Sequence, residues 1–381
     1  MERRTFLKIL SSAGIVSLVS PTFAMEVCKN KVSKSSSALL ESAFRNPPFS
    51  SGVYTWWHWM NGNITKDGIT RDLEAMKANG IAGYQLFEAG SGIPIGPVES
   101  LSDEWVDLIL HTLKESERLG LEFAMHNCPG WSSSGGPWIT PDKAMQIITW
   151  SETKITGGKQ VRIQLPTPKH MFDYYIDTYC LAIPANMKVI PRLSILELSN
   201  RLDKDGVLTW DVPTGEWLIM RFGQTAKDQK NKSAPSKSTG LDCDKFSTEA
   251  LDYHLNCMFK RLMPTMEKIA KHSKIGLLID SYETGDQDWT SDMPVYFEQS
   301  HGYELYPFLP VLANKIVESE ESTKRFLFDF RRVRADMFAE RYYGHFQKRC
   351  KEKGIITYTE PYGGNMICLL YTSPSPRDKR Q

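Results

Sequence analysis

The chain has no Cys-x-x-Cys pair and no Cys/His spacing of the zinc type, although seven cysteines lie at positions 28, 128, 180, 243, 257, 350 and 368. That scatter predicts neither structural zinc nor a disulfide framework, and leaves buried free thiols as the expected state of most of them. Neither a Gly-x-Gly-x-x-Gly nor a Walker pattern is present, so no phosphate cradle is implied. Charge of one sign is nowhere concentrated: 46 basic against 45 acidic side chains leave a net charge of +1. Such a balance predicts no binding to nucleic acid or to an anionic membrane surface. The apolar run that ends near Val19 is shorter than the roughly 20 residues a membrane span needs.

What the chain does have is length and aromatic content. Its 381 residues are 41% hydrophobic and 11% aromatic, with ten Trp, which suits a soluble globular protein with a sizeable core. The N-terminus reads as a targeting segment. Arg3-Arg4-Thr5-Phe6-Leu7-Lys8 resembles the twin-arginine export motif, and Thr22-Phe23-Ala24 offers small residues for cleavage. Residues 1–24 are therefore expected to be an export signal, followed by a Ser-rich linker at 25–45 and a periplasmic or extracellular mature protein. The context of Cys28 is poor for lipidation.

From there strands and helices alternate. Residues 53–59 read as a strand, and Thr65 or Asp67 can cap the helix that follows. A strand at 82–87, a helix at 103–118 and a strand at 122–126 come next, so 46–149 hold three βα units, the signature of a parallel sheet or barrel. Residues 150–240 are richer in Thr, Val, Ile, Pro and Gly and read as an inserted β-rich region, closing on a polar, mobile return loop at 227–238. Helical pattern resumes at 247–271, a strand at 275–279 follows, then a helix at 322–353 and a strand at 355–359. The expected fold class is α/β, a partial (β/α)8 TIM-type barrel interrupted by the insert, with its second part at 241–367.

The end of the chain has its own reading. Residues 368–378 match, over eleven consecutive codons, one frame of a transposase sequencing adapter, so 368–381 are expected to be an assembly artefact. A barrel stopped near Ile367 would lack about three of eight strands and is expected to be inactive.

Chemistry concentrates at 279–289, Ile-Asp-Ser-Tyr-Glu-Thr-Gly-Asp-Gln-Asp-Trp. A short apolar run gives way to Asp280, Glu283, Asp286 and Asp288, where strand C-termini of a parallel barrel would share one mouth. The same carboxylates also fit a solvated acidic loop.

Four ordered stretches carry a resemblance: Trp57-His58-Trp59-Met60-Asn61-Gly62-Asn63-Ile64-Thr65, residues 126–138 (His-Asn-Cys-Pro-Gly-Trp-Ser-Ser-Ser-Gly-Gly-Pro-Trp), Thr239-Gly240-Leu241-Asp242-Cys243-Asp244-Lys245, and Asp280-Ser281-Tyr282-Glu283. Together they resemble glycoside hydrolase family 106, the α-L-rhamnosidases, over about 45–367. The resemblance implies a β/α barrel interrupted by β-structure, a calcium-dependent site, and inverting hydrolysis of terminal α-L-rhamnose from plant oligosaccharides or polysaccharides. Glu283 matches the general acid, and burial together with Asp280 should raise its pKa. Glu360, at the next strand end, is the base candidate, unless the base lies further along a longer chain. By position, Glu88, Asp280, Glu283 and Glu360 are calcium candidates, and His58, His126, Asn127, Trp131, Asp280 and Tyr282 are substrate-binding candidates. Trp57, Trp131 and Trp138 could cover the apolar face of a sugar, and ordinary packing accounts equally for each His and Trp. A barrel glycosidase for another sugar, or a non-catalytic carbohydrate-binding protein, stays open.

Overall fold

The structure, a computed structural model, describes residues 34–360 apart from Ser133. The expected export signal and the adapter-like tail therefore lie outside the described residues. The second half of the expected linker is helix α1 (Lys34–Arg45), whose Ala-Leu-Leu-Glu-Ser-Ala core favours helix over coil.

Five parallel strands make the main sheet, in the order β1 (Val53–Met60), β2 (Ile81–Ala89), β3 (Glu122–His126), β9 (Ile275–Ile279), β10 (Ile356–Thr359). Each connection returns through helices. Between β1 and β2 runs α2 (Lys66–Ala78), capped by the Thr65 hydroxyl, which accepts from the Gly68 N–H at 3.0 Å. Between β2 and β3 runs α3 (Asp103–Leu119). Its cap is Ser102, one residue before the first helical position, and removing such a cap costs about 1 kcal/mol. The sheet is α/β and parallel as expected, but its outer strands β1 and β10 do not meet, so no closed barrel is formed by the described residues.

Between β3 and the next long helix, the chain lays down antiparallel structure. Strands β4 (Gln146–Thr156), β6 (Ile176–Pro184) and β8 (Glu216–Ala226) form one sheet, with β8 central, while β5 (Lys159–Gln164) pairs with β7 (Val207–Val212). Leu165, Cys180, Ala182, Leu208, Trp210 and Ile219 fill a small core of their own. β4 begins at Gln146, a few residues before the expected insert boundary. The segment expected to be a mobile return loop is packed: Asn231, 2% exposed, donates from Nδ2 to Pro129 O and Ser238 O.

The helix expected at 247–271 is two, α4 (Thr248–Phe259) and α5 (Met263–Ile269). Pro264 explains the break, since it lacks the N–H an uninterrupted helix needs and is tolerated only in a first turn. Helix α6 (Met293–His301), absent from the sequence reading, follows the acidic loop. Then α7 (Glu320–Met337) passes through a π-helical turn (Phe338–Gly344) into α8 (His345–Glu352).

Strand parity divides the main sheet into two faces. Trp57, Trp59, Tyr84, Leu86, Phe123, Met125, Leu277 and Ile279 join the core under the helices. The alternate positions stack on the opposite face, where the Phe87 ring lies 5.3 Å from Trp56 and 5.5 Å from both His58 and His126. At the C-terminal end of that second face, polar groups take over.

Candidate active site

A cleft of about 320 Å³ opens there, lined by Trp56, His58, Phe87, Trp131, Asp280, Ser281 and Glu283. Asp280 is the first residue past β9, and Glu360 the first past β10, with its backbone N–H donating to Ile279 O at 2.9 Å. The parallel pairing thus sets the two carboxyls side by side, and they share a hydrogen bond. Burial, then the Glu360 and Glu283 carboxyls, push the Asp280 pKa up to about 6, against a 2.7 Å hydrogen bond from the Ser281 N–H. Asp280 therefore keeps its proton to higher pH than an ordinary carboxyl, because burial and a neighbouring like charge both disfavour its ionised form. Glu283 is exposed on the loop just beyond. The burial expected for it is not there, and the carboxyl held up by burial and neighbours is Asp280.

Of the substrate-binding candidates, His58, Trp131 and Asp280 line the cleft. His126, Asn127 and Tyr282 do not, and each has its polar atoms engaged inside the protein. His126 is 2% exposed; its Nδ1 donates to Cys128 O at 2.9 Å and its Nε2 accepts from the Asp280 N–H at 3.3 Å. Burial pulls its pKa down to about 4, so it is neutral and anchors Asp280 rather than a ligand. Asn127 is fully buried, donating to Leu278 O at 2.9 Å and accepting from Ser134 Oγ at 2.6 Å. Tyr282 points into the core, its ring edge-on to Phe338 and its hydroxyl donating to Gly285 O at 2.6 Å.

The tryptophans divide by the same parity. Trp57 lies on the helix side, donating from Nε1 to Asp72 Oδ2 at 3.0 Å, and Trp138 donates to His254 Nδ1 at 3.2 Å. Trp56, which the sequence reading passed over, is the strand-one indole on the cleft face. His254 was also missed. It is fully buried with its pKa pulled down to about 3 by burial, and its Nε2–H donates to Asn127, which ties α4 to the loop after β3.

Gly130 lets that loop close on the 231–240 segment. It has φ +79°, and a Cβ there would sit 2.1 Å from Lys232 O, so no other residue fits.

The expected calcium set does not assemble. Glu88 follows Phe87 on β2, so it faces the helices, where its Oε2 accepts from Ser100 Oγ at 2.7 Å. No group of three or more His, Cys, Asp or Glu among the described residues is arranged to hold an ion. Glu88 instead gives a pH test. Burial raises its pKa to about 7, so the folded state holds a proton that the unfolded chain has lost, and stability falls as pH rises from about 4.5 to 7. Glu88→Gln should therefore be more stable than the parent by up to about 3 kcal/mol at pH 8, with no gain at pH 4. Urea unfolding at the two pH values measures the difference, and equal effects at both would show that the carboxyl is not buried as described.

A family profile described as alpha-L-rhamnosidase matches residues 45–179 and 168–371. The chain belongs to glycoside hydrolase family 106. A Formosa agariphila protein named as a candidate beta-glucuronidase is 41% identical over 356 residues, which is 85% of this chain and 31% of that protein. The solved rhamnosidase of Novosphingobium sp. PP1Y superposes with a TM-score of 0.77 at 24% identity, over 84% of this chain and 47% of that one. This family 106 chain thus spans less than half the length of either relative, and the solved structure speaks for the fold.

Proposed function

We propose that the complete protein is an exported glycosidase that removes terminal α-L-rhamnose from plant glycans with inversion, and that the five parallel strands are the first part of a (β/α)8 barrel. The observation that carries this reading is the carboxyl group of three, Asp280, Glu283 and Glu360, at the C-terminal ends of neighbouring parallel strands beside an aromatic-walled cleft. Inverting hydrolysis needs one carboxylic acid to protonate the leaving oxygen and one carboxylate, about 6.5–9.5 Å away, to activate water on the other side of the sugar. In this reading Glu283 gives its proton to the glycosidic oxygen as that bond breaks. Glu360 takes a proton from the water that attacks the anomeric carbon, and Asp280, bonded to Glu360, sets its orientation. Any calcium ion at this mouth would draw on Asp280, Glu283 and Glu360 from the expected set, leaving the rest of its six to eight oxygens to other donors.

The name of the Formosa relative supports a second reading, a uronic acid as substrate. A glucuronide brings a carboxylate, however, and the lining residues include two carboxyls and neither Lys nor Arg. Aromatic walls and acidic groups favour a neutral sugar with an apolar edge, as rhamnose has at its methyl group. Assay of the complete protein with p-nitrophenyl α-L-rhamnoside and p-nitrophenyl β-D-glucuronide separates the two readings. Release from the rhamnoside alone is expected, and release from the glucuronide alone would overturn the proposal. No helix among the described residues is long and apolar enough to cross a membrane.

A further inference from the structure

The loop at 281–289 has no helix and no strand, yet it is held from outside along much of its length. Lys227 Nζ donates to Asp286 O at 2.5 Å, the Ile148 N–H donates to Asp288 Oδ1 at 2.9 Å, and the Trp289 N–H donates to Gln146 O at 3.2 Å. From the other side, the Arg334 guanidinium of α7 donates twice to Gln287 O, at 3.1 and 2.8 Å. The first three contacts share an origin. Gln146 and Ile148 open β4, Lys227 directly follows the end of β8, and these two strands pair at their roots through Gln146 and Ala226.

We propose that the root of the inserted β-rich segment positions the catalytic acid, with Lys227 as the positioning residue that fixes the loop apex beside Glu283. Gly285, two residues after Glu283, has φ +69°, and a Cβ added there would lie 3.1 Å from Lys227 Nζ, so the ammonium packs directly on the apex. Burial disfavours this ammonium, while Asp286 and Asp288 favour it. A half-buried cation spent on a backbone carbonyl, when two carboxylates lie close by, is suited to setting a backbone position rather than to neutralising charge. The insert then supports the geometry of proton delivery. Loosening it would leave the sugar bound and the acid misplaced.

This inference rests on the proposed role of Glu283, and leaving-group chemistry can test the two separately. An alkyl α-L-rhamnoside needs its leaving oxygen protonated, whereas a 2,4-dinitrophenyl α-L-rhamnoside departs almost without help. In the complete protein, Lys227→Met is expected to lower kcat on the alkyl substrate by about ten- to a hundredfold, with KM nearly constant and a much smaller loss on the dinitrophenyl substrate. Lys227→Arg should restore most of the alkyl activity. Equal losses on both substrates, tracking a fall in thermal midpoint, would overturn the proposal and leave Lys227 with a purely structural role. Glu283→Gln is run alongside. Selectivity there without selectivity in Lys227→Met strikes the positioning role alone, and no selectivity in Glu283→Gln strikes the acid assignment itself. Should Lys227→Met fail to fold, Asp288→Ala cuts the tether to Ile148 and carries the same comparison.

Discussion

Glu283→Gln in the complete protein is expected, on the proposed acid role and rhamnoside substrate, to lower kcat by about 10²- to 10⁴-fold, the usual contribution of a general acid, while sugar binding stays detectable. The side chain is exposed at the cleft and belongs to neither hydrophobic core, so the expected change in stability is within about 0.5 kcal/mol. Activity and folding therefore separate cleanly at this position. The substitution also removes one of the charges that hold Asp280 up, so the Asp280 pKa should move down from about 6 toward the ordinary carboxylate range. Stopped assays with isothermal titration of rhamnose measure the first effect, and a carboxyl NMR titration the second. Unchanged turnover would remove Glu283 from the acid role and leave the Asp280–Glu360 pair as the chemical centre of the cleft.

The order of strands and helices was legible because each element carries its own period. Phe123-Ala124-Met125 and Ile275–Ile279 are short apolar runs bounded by polar residues, and the strands expected at 122–126 and 275–279 have those limits. Which face a residue takes was harder to read at strand one. Trp56-Trp57-His58-Trp59 is aromatic throughout, so no contrast between polar and apolar positions marks the cleft side, and only the pairing of Trp57 with Leu86 and of His58 with Phe87 settles it. Glu88 has the same origin. Strand β2 is buried on both faces, and a carboxyl at its end gives no local sign that its partner is Ser100 under the helices.

Residues that look catalytic by type turned structural through contacts distant in sequence. Asn127 meets Leu278 and His254, and Tyr282 meets Phe338, which no local window contains. The π-helical turn at Phe338–Gly344 belongs to this class. The sequence gives no signal for it that we can name, yet it brings Phe338 against Tyr282 and the Tyr342 hydroxyl to within 2.6 Å of Ser134 Oγ, under the loop that carries Trp131. Such turns recur near functional sites because they re-aim side chains within an otherwise continuous helix.

The motif around Asp242 and Lys245 supplies the largest stability effect. Both side chains are 0% exposed and ion-paired. Lys245 Nζ also donates to Cys243 O at 2.9 Å and lies 5.3 Å from the centre of the Tyr342 ring, while Asp242 Oδ1 accepts from the Ser134 N–H at 3.2 Å. Burial works against the Lys245 ammonium, but the Asp242 carboxylate outweighs it and holds the lysine charged. Lys245→Met leaves that carboxylate buried without its partner and is expected to cost about 3–5 kcal/mol. The second change, Asp242→Leu on top of Lys245→Met, should recover much of that loss, since an apolar pair avoids the desolvation of two charges. The pH dependence gives an independent check. An unpartnered Asp242 has a pKa raised by burial, so the folded single variant binds a proton more tightly than its unfolded chain and loses stability as pH rises past the ordinary carboxylate range. The deficit should therefore be larger at pH 8 than at pH 4. Urea unfolding of parent, single and double variants at both pH values measures it, and a double variant no more stable than Lys245→Met would show that hydrogen bonds to the 127–136 loop, rather than the unpaired charge, dominate the motif.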